Sequence, residues 1–248
     1  TANLTFSLRR IVVAVPRLAF ETEAARDLWA VVSPWLFISL CAGLLLRLPM
    51  PPFHHWWYRV SEHADLRVVA MMAAGYVPFS FYAAVRILVP LFPEHVGQVA
   101  PRLFLWGFLS AMFLSISAVA IENPRRKLIA AGMLSGCVAF SAAMFGDTAS
   151  IQGGLLLVVS SCGSLALLHL YWAAASDRAS RAARPGSAAD HWARRLTVMI
   201  ALASLSVIPL SGSFWGEFMI LQSIFRRDAA AAFWLIVAAF LLAVSLRQ

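Results

Sequence analysis

The sequence predicts an all-α integral membrane protein. Three observations carry this. The chain is 61% hydrophobic and only 13% charged, with a mean hydropathy of +0.77, whereas a soluble domain carries roughly 25% charged residues. Its apolar residues fall in runs of the ~20 residues that a spanning helix needs. Its Lys and Arg residues gather between those runs. A net charge of +8 in such a chain reads as basic loops that hold topology, not as nucleic-acid binding.

Residues 1–27 are amphipathic, with Arg9, Arg10, Arg17, Glu21, Glu23, Arg26 and Asp27. This pattern predicts an interfacial segment. Because the chain starts at Thr1, it reads as the middle of a longer protein or the second half of a split one. Residues 28–248 form the predicted transmembrane region. Seven candidate spans follow at 28–46, 68–92, 103–121, 128–146, 153–175, 196–225 and 229–246. The longest polar connection, 176–195, is rich in Ala and Arg around Pro185-Gly186, and is read as a loop with a surface helix on one side of Pro185. The basic residues after the first, third and fifth spans outnumber those on the opposite side, which places the first set in the cytoplasm.

The first span ends at Pro49-Met50-Pro51-Pro52, followed by His54-His55-Trp56-Trp57-Tyr58. Trp and Tyr favour the membrane interface, so this cluster reads as an anchor. His54 is also a candidate entrance for protons, since histidine titrates near neutral pH. A metal site from His54, His55 and His63 is disfavoured, because adjacent histidines point apart on a helix and no carboxylate sits at ligand spacing.

In the second span, Pro78 predicts a kink or break. Arg86 lies in the same run, where an arginine at the membrane centre costs roughly 2.5–3.5 kcal/mol. It either snorkels to the headgroups or pairs with a buried carboxylate. In the fifth span, His169 is either a proton-relay group or a hydrogen-bonded packing histidine. Ser160, Ser161, Gly163 and Ser164 suit close helix packing there. The sixth span breaks at Pro209-Leu210-Ser211-Gly212-Ser213-Phe214-Trp215-Gly216-Glu217-Phe218. Free backbone and a carboxylate persist at membrane depth where they are buried in protein or face a water path. Glu217 is therefore a candidate proton acceptor, against the alternative of a short loop at a wet interface. Cys41, Cys137 and Cys162 lie in apolar runs, so there is no disulfide framework or CxxC site. No nucleotide loop, Ser/His/Asp arrangement or haem motif is present.

Gly212-Ser213-Phe214-Trp215-Gly216-Glu217-Phe218-Met219-Ile220-Leu221 resembles a signature of the antiporter-like membrane subunits of respiratory complex I, in particular the NuoM type. Pro52-Phe53-His54-His55-Trp56, Pro90-Leu91-Phe92-Pro93 and Arg126-Lys127-Leu128-Ile129-Ala130 resemble further stretches of the same family, in the same order. The resemblance implies a fold of fourteen spans with inverted repeats and broken helices, of which this chain would supply the sixth to twelfth. It implies no cofactor bound by this chain. Quinone, flavin and iron–sulfur clusters would belong to partner subunits, one of which would supply the missing N-terminal spans. Lipid and other membrane subunits are the implied partners, and the bacterial cytoplasmic membrane the implied location.

The resemblance also implies departures. Counted without gaps, the family's buried lysine falls on Pro78, and two of its histidines fall on Gly136 and Ser161. None of these can titrate, so the relay is degenerate at its centre. The remaining proton-path candidates are Glu217, Arg86 as its tuning charge, His169, His54 and Lys127. The expected function is a membrane subunit of a proton- or cation-translocating assembly with a largely structural role. The alternatives are a secondary cation/proton antiporter subunit and the membrane partner of an ion-driven uptake complex.

Overall fold

The computed structural model describes residues 23–180, 188–205 and 211–226, together with residues 233, 236 and 237. Residues 1–22 of the predicted interfacial segment, Pro209-Leu210 of the predicted break and nearly all of the predicted span 229–246 lie outside the described residues.

Helix α1 (Glu23–Arg47) begins with an acidic residue and ends with a basic one, matching the helix dipole. Its first residues, Glu23–Asp27, thus belong to the helix rather than to a separate segment. After the proline-rich turn, the short helix α2 (His55–His63) leads to α3 (Leu66–Ala83). The Asp65 side chain caps α3 by accepting from the Arg67 amide at 2.7 Å. Pro78 lies inside α3 without ending it. The irregularity comes later, as a π-helical turn at Ala84–Leu88 before a last turn at Val89–Leu91. The predicted disruption of this span is therefore present but displaced. Insertion of a residue into the i→i−4 ladder relieves it, and Arg86 sits on that turn.

Helix α4 (Pro93–Ala120) starts ten residues before the predicted span. Glu94, His95, Gln98 and Arg102 mask its first turns in an apolar scan, whereas Pro93 at the first helical position favours a start there. Helix α5 (Pro124–Phe145) is capped by the Asn123 side chain, which accepts from the Arg125 amide at 2.9 Å, and stops at Gly146 with φ of 77°. That left-handed position suits glycine. The apolar stretch of α5 is buried on all sides, so α5 is the centre of the bundle, packed by α3, α4 and helix α6 (Thr148–Ser180).

Helix α7 (Ala188–Leu205) follows. Most of the predicted loop 176–195 is therefore helical, because α6 runs to Ser180 and α7 begins at Ala188; alanine and arginine are strong helix formers. Residues 181–187, including Pro185-Gly186, lie outside the described residues. Helix α8 (Gly212–Phe225) completes the order, capped by Ser211, whose hydroxyl accepts from the Phe214 amide at 3.1 Å.

Five of these helices are long and apolar enough to cross a membrane. Contacts along α6 show that α7 and α8 together make a sixth, broken crossing. Ser204 of α7 meets Ser160 of α6 at 3.0 Å, and Ser213 of α8 meets Ser160 at 3.2 Å. Further along, Gly216 lies against Gly153 and Leu157, and Ser223 bonds Asp147 at 2.7 Å. At 1.5 Å per residue, Ser160 lies about 18 Å along α6 from Thr148. The interruption is therefore deep in the span, as the residue pattern predicts.

Gly216 permits this arrangement. A Cβ there would lie 2.6 Å from the Leu157 amide nitrogen and 2.7 Å from the Gly153 carbonyl oxygen, both backbone atoms. Small residues allow this approach between membrane helices. Gly216→Ala should lower the thermal stability of the purified protein in detergent, at a cost of about 1–3 kcal/mol for overpacking. Gly163→Ala, on open surface of α6, should leave it unchanged.

Candidate functional site: a broken span beside a closed centre

The break is lined by hydroxyls from three helices. Ser160 and Ser161 come from α6, Ser204 from α7 and Ser213 from α8. Ser204 and Ser213 are 3.2 Å apart, and Ser161 and Ser213 3.5 Å. Ser164 turns back to the Ser160 carbonyl at 2.9 Å. This network satisfies polar groups at membrane depth. The serines at 160, 161 and 164 read from sequence only as small packing residues. The hydroxyl partners of Ser160 and Ser161, 44 to 53 positions away, carry no sequence signal that links them.

Glu217 follows Gly216 one turn beyond this network, on the half-span packed against α6. It is half-buried. The two ion pairs among the described residues are Arg67–Asp177 and Arg126–Glu62, so Arg86 is not joined to Glu217. Arg86 is exposed on its π-helical turn. Snorkelling, one of its two predicted roles, is the one consistent with that exposure.

Of the positions to which the resemblance assigns a relay, Gly136 is closed by packing. Gly136 lies on buried α5, and a Cβ there would be 2.9 Å from Val77 Cγ1 and 3.5 Å from Leu48 Cδ1. Val77 precedes Pro78, which is itself half-buried. Ser161 joins the hydroxyl network instead. Beside Pro78, the Arg47 guanidinium lies 4.5 Å from the ring centroids of both Tyr76 and Phe79, a cation–π arrangement. Its Nε is buried without a hydrogen-bond partner. Sequence reading took Arg47 for a loop residue; nothing in its neighbours marks the ring contacts, which come from α3.

His169 is 1% exposed. Its Nδ1 lies 2.8 Å from the Leu165 carbonyl, its ring packs edge-on to Trp172, and its Nε2 has no partner. One nitrogen fits the packing-histidine reading, and the other remains available. Lys127 is 9% exposed at the first turns of α5. The candidates are thus dispersed: Glu217 on α8, Arg86 on α3, His169 near the far end of α6, Lys127 on α5 and His54 before α2.

His54 and His55 correct an expectation. Their rings are 4.3 Å apart rather than pointing away from each other. His54 precedes the helix as its N-cap, so helical geometry does not separate them. Burial, with a smaller contribution from His55, holds the His54 pKa below the usual histidine range. Among the described residues no group of three His, Cys, Asp or Glu side chains could hold a metal. Nearby, burial pushes the Tyr58 hydroxyl up to about 12.

The family described as NADH:quinone oxidoreductase/Mrp antiporter, TM, matches residues 16–244. The chain is 26% identical over 242 residues to NADH-quinone oxidoreductase subunit 13 of Thermus thermophilus, covering 94% of this chain and 49% of that protein. It is 24% identical over 201 residues to NADH-quinone oxidoreductase subunit M of Buchnera aphidicola, covering 77% of this chain and 39% of that protein. The chain thus spans about half the length of the curated relatives it matches. Among solved structures, respiratory complex I from Thermus thermophilus superposes with a TM-score of 0.75 at 21% identity, over 86% of this chain and 46% of the other. The Mrp complex from Dietzia sp. DQ12-45-1b gives 0.74 at 17% identity, over 97% and 46%. Both likenesses establish the fold.

The Arg126–Glu62 pair ties α5 to α2. The Arg126 hydrogen bond holds the Glu62 pKa below the usual carboxylate range. The pair's contribution to stability is therefore complete above the ordinary Glu value of about 4.3 and fades as pH falls through the lowered one. Arg126→Gln should return the Glu62 titration to the ordinary range, read by carboxyl NMR. An unchanged titration would remove the pair from the account.

Proposed function

This chain belongs to the NADH:quinone oxidoreductase/Mrp antiporter transmembrane family, and we propose that it serves as a membrane subunit of a complex I-related, proton- or cation-translocating assembly. In this reading its role is largely structural. The observation that carries the second statement is the contact of Gly136 with Val77 and Leu48. Hydrocarbon fills the place where a titrating relay would have to sit, and Pro78, Gly136 and Ser161 supply no proton-binding group. Translocated protons need titratable groups or water, and buried lysines and histidines are the usual means.

The chain is an integral membrane protein. We place it in the bacterial cytoplasmic membrane, supported by the bacterial source of the relative matched over most of the chain. Its partners are other membrane subunits of the assembly. Quinone, flavin and iron–sulfur clusters belong to those partners. The Mrp-like fold favours a second reading, a cation/proton antiporter subunit.

Co-purification separates the two. Redox subunits bearing flavin and iron–sulfur clusters are expected with the tagged chain; recovery with antiporter subunits alone would replace this reading by the second. The structural role is tested by Glu217→Gln, Arg86→Gln and His169→Gln combined. Coupled ion translocation by the reconstituted assembly should be unchanged, and its loss would assign these side chains a conducting role.

A further inference from the structure

At the end of the bundle that carries the Arg126–Glu62 and Arg67–Asp177 pairs, α5, α6 and α7 enclose a cavity of about 400 Å³. The translocation reading does not use it. One wall is apolar, formed by Leu128, Leu168 and Leu202. The rim carries Glu122, Lys127 and Trp172. Tryptophan at this level suits the boundary between headgroups and hydrocarbon.

Lys127 is the telling group. Its side chain is nine-tenths buried, lines the cavity, and has no ion pair or hydrogen bond to another described side chain. Its neighbour Arg126 is already paired with Glu62. The Lys127 ammonium, on a side chain otherwise packed among the helices, is presented to the cavity, and the cavity favours an anionic group against it. Glu122 brings a carboxylate to the same cavity but is not within ion-pair reach of Lys127. The exposed Glu122 carboxylate and the Lys127 ammonium thus offer charges of both signs at one cavity. Below them, the leucine wall continues into the span on α6 and α7, where an acyl chain can lie.

We propose that this cavity binds one phospholipid with an ammonium-bearing headgroup of the ethanolamine type. The phosphate meets Lys127, the ammonium meets Glu122, and the start of an acyl chain lies along Leu168 and Leu202. Basic pockets between membrane helices hold phosphate headgroups in this way. An anionic lipid without an ammonium would set its charge against Glu122, which is why the zwitterion is favoured. The lipid would fasten the α6–α7 end of the broken crossing to α5, independently of whether the chain conducts.

The test uses the intact assembly in detergent, stripped of lipid and then equilibrated with mixed micelles of dioleoyl-phosphatidylethanolamine or dioleoyl-phosphatidylglycerol. Retained lipid is counted by mass spectrometry after washing. Wild type should retain the ethanolamine lipid in preference to the glycerol lipid. Lys127→Gln should weaken retention roughly tenfold, as expected for loss of a charge-assisted contact. Glu122→Gln should keep retention but lose the headgroup preference. Val198→Trp, which fills the cavity from α7 without touching either charge, should also lose the lipid and serves if the lysine variant does not assemble. Equal retention by wild type and Lys127→Gln, or preference for the glycerol lipid, would overturn the proposal. So would displacement of the lipid by inorganic phosphate alone, which would make this a free-anion site.

Discussion

Gly216 and Gly153 let α8 and α6 approach until backbone touches backbone, and the broken crossing rests on that contact. A helix interrupted inside a bilayer leaves amide and carbonyl groups that lipid cannot satisfy. Here Ser204 before the interruption and Gly212, Ser213 and Gly216 after it lie directly against α6. The hydroxyls of Ser160, Ser161, Ser204 and Ser213 then join the ends of α7 and α8 to the same helix, and Ser211 caps the new start. Asp147 pins the far end of α8 through Ser223.

The same tight packing closes the interior. Helix α5 is buried along its apolar length, and it meets α3 through Gly136 and Val77. Gly154 of α6 is equally close to α3, where a Cβ would be 2.9 Å from the Phe81 ring. Small residues at these crossings bring α3, α5 and α6 into close contact. Polar groups near that contact include the hydroxyl network on α6, α7 and α8 and the Arg47 guanidinium against Tyr76 and Phe79. Where α3 meets α5, the contact of Gly136 with Val77 is hydrocarbon.

Much of this was legible in the sequence. The apolar runs gave the spans, and the Pro-Gly-Ser pattern with Glu217 marked the interrupted one, because lipid forces such residues to be exceptional. Other parts were hidden for physical reasons. The polar residues Glu94–Arg102 concealed the first turns of α4, since hydropathy does not register helix-capping geometry. The ends of α6 and α7 looked like loop because charge alone does not break an alanine-rich helix. The nearness of the His54 and His55 rings depended on a residue standing just outside its helix. The contacts of Arg47, Lys127 and the serine network depend on side chains brought together from different helices, which no local pattern encodes.

The closed centre is tested most directly by Cys137, the native neighbour of Gly136, which is free and 0% exposed. In the assembled, membrane-embedded protein with Cys41→Ser and Cys162→Ser, a small water-soluble thiosulfonate should leave Cys137 unmodified, as followed by mass spectrometry. Modification of Cys137 in the folded assembly would mean that water reaches this layer, and would contradict a structural role for the chain.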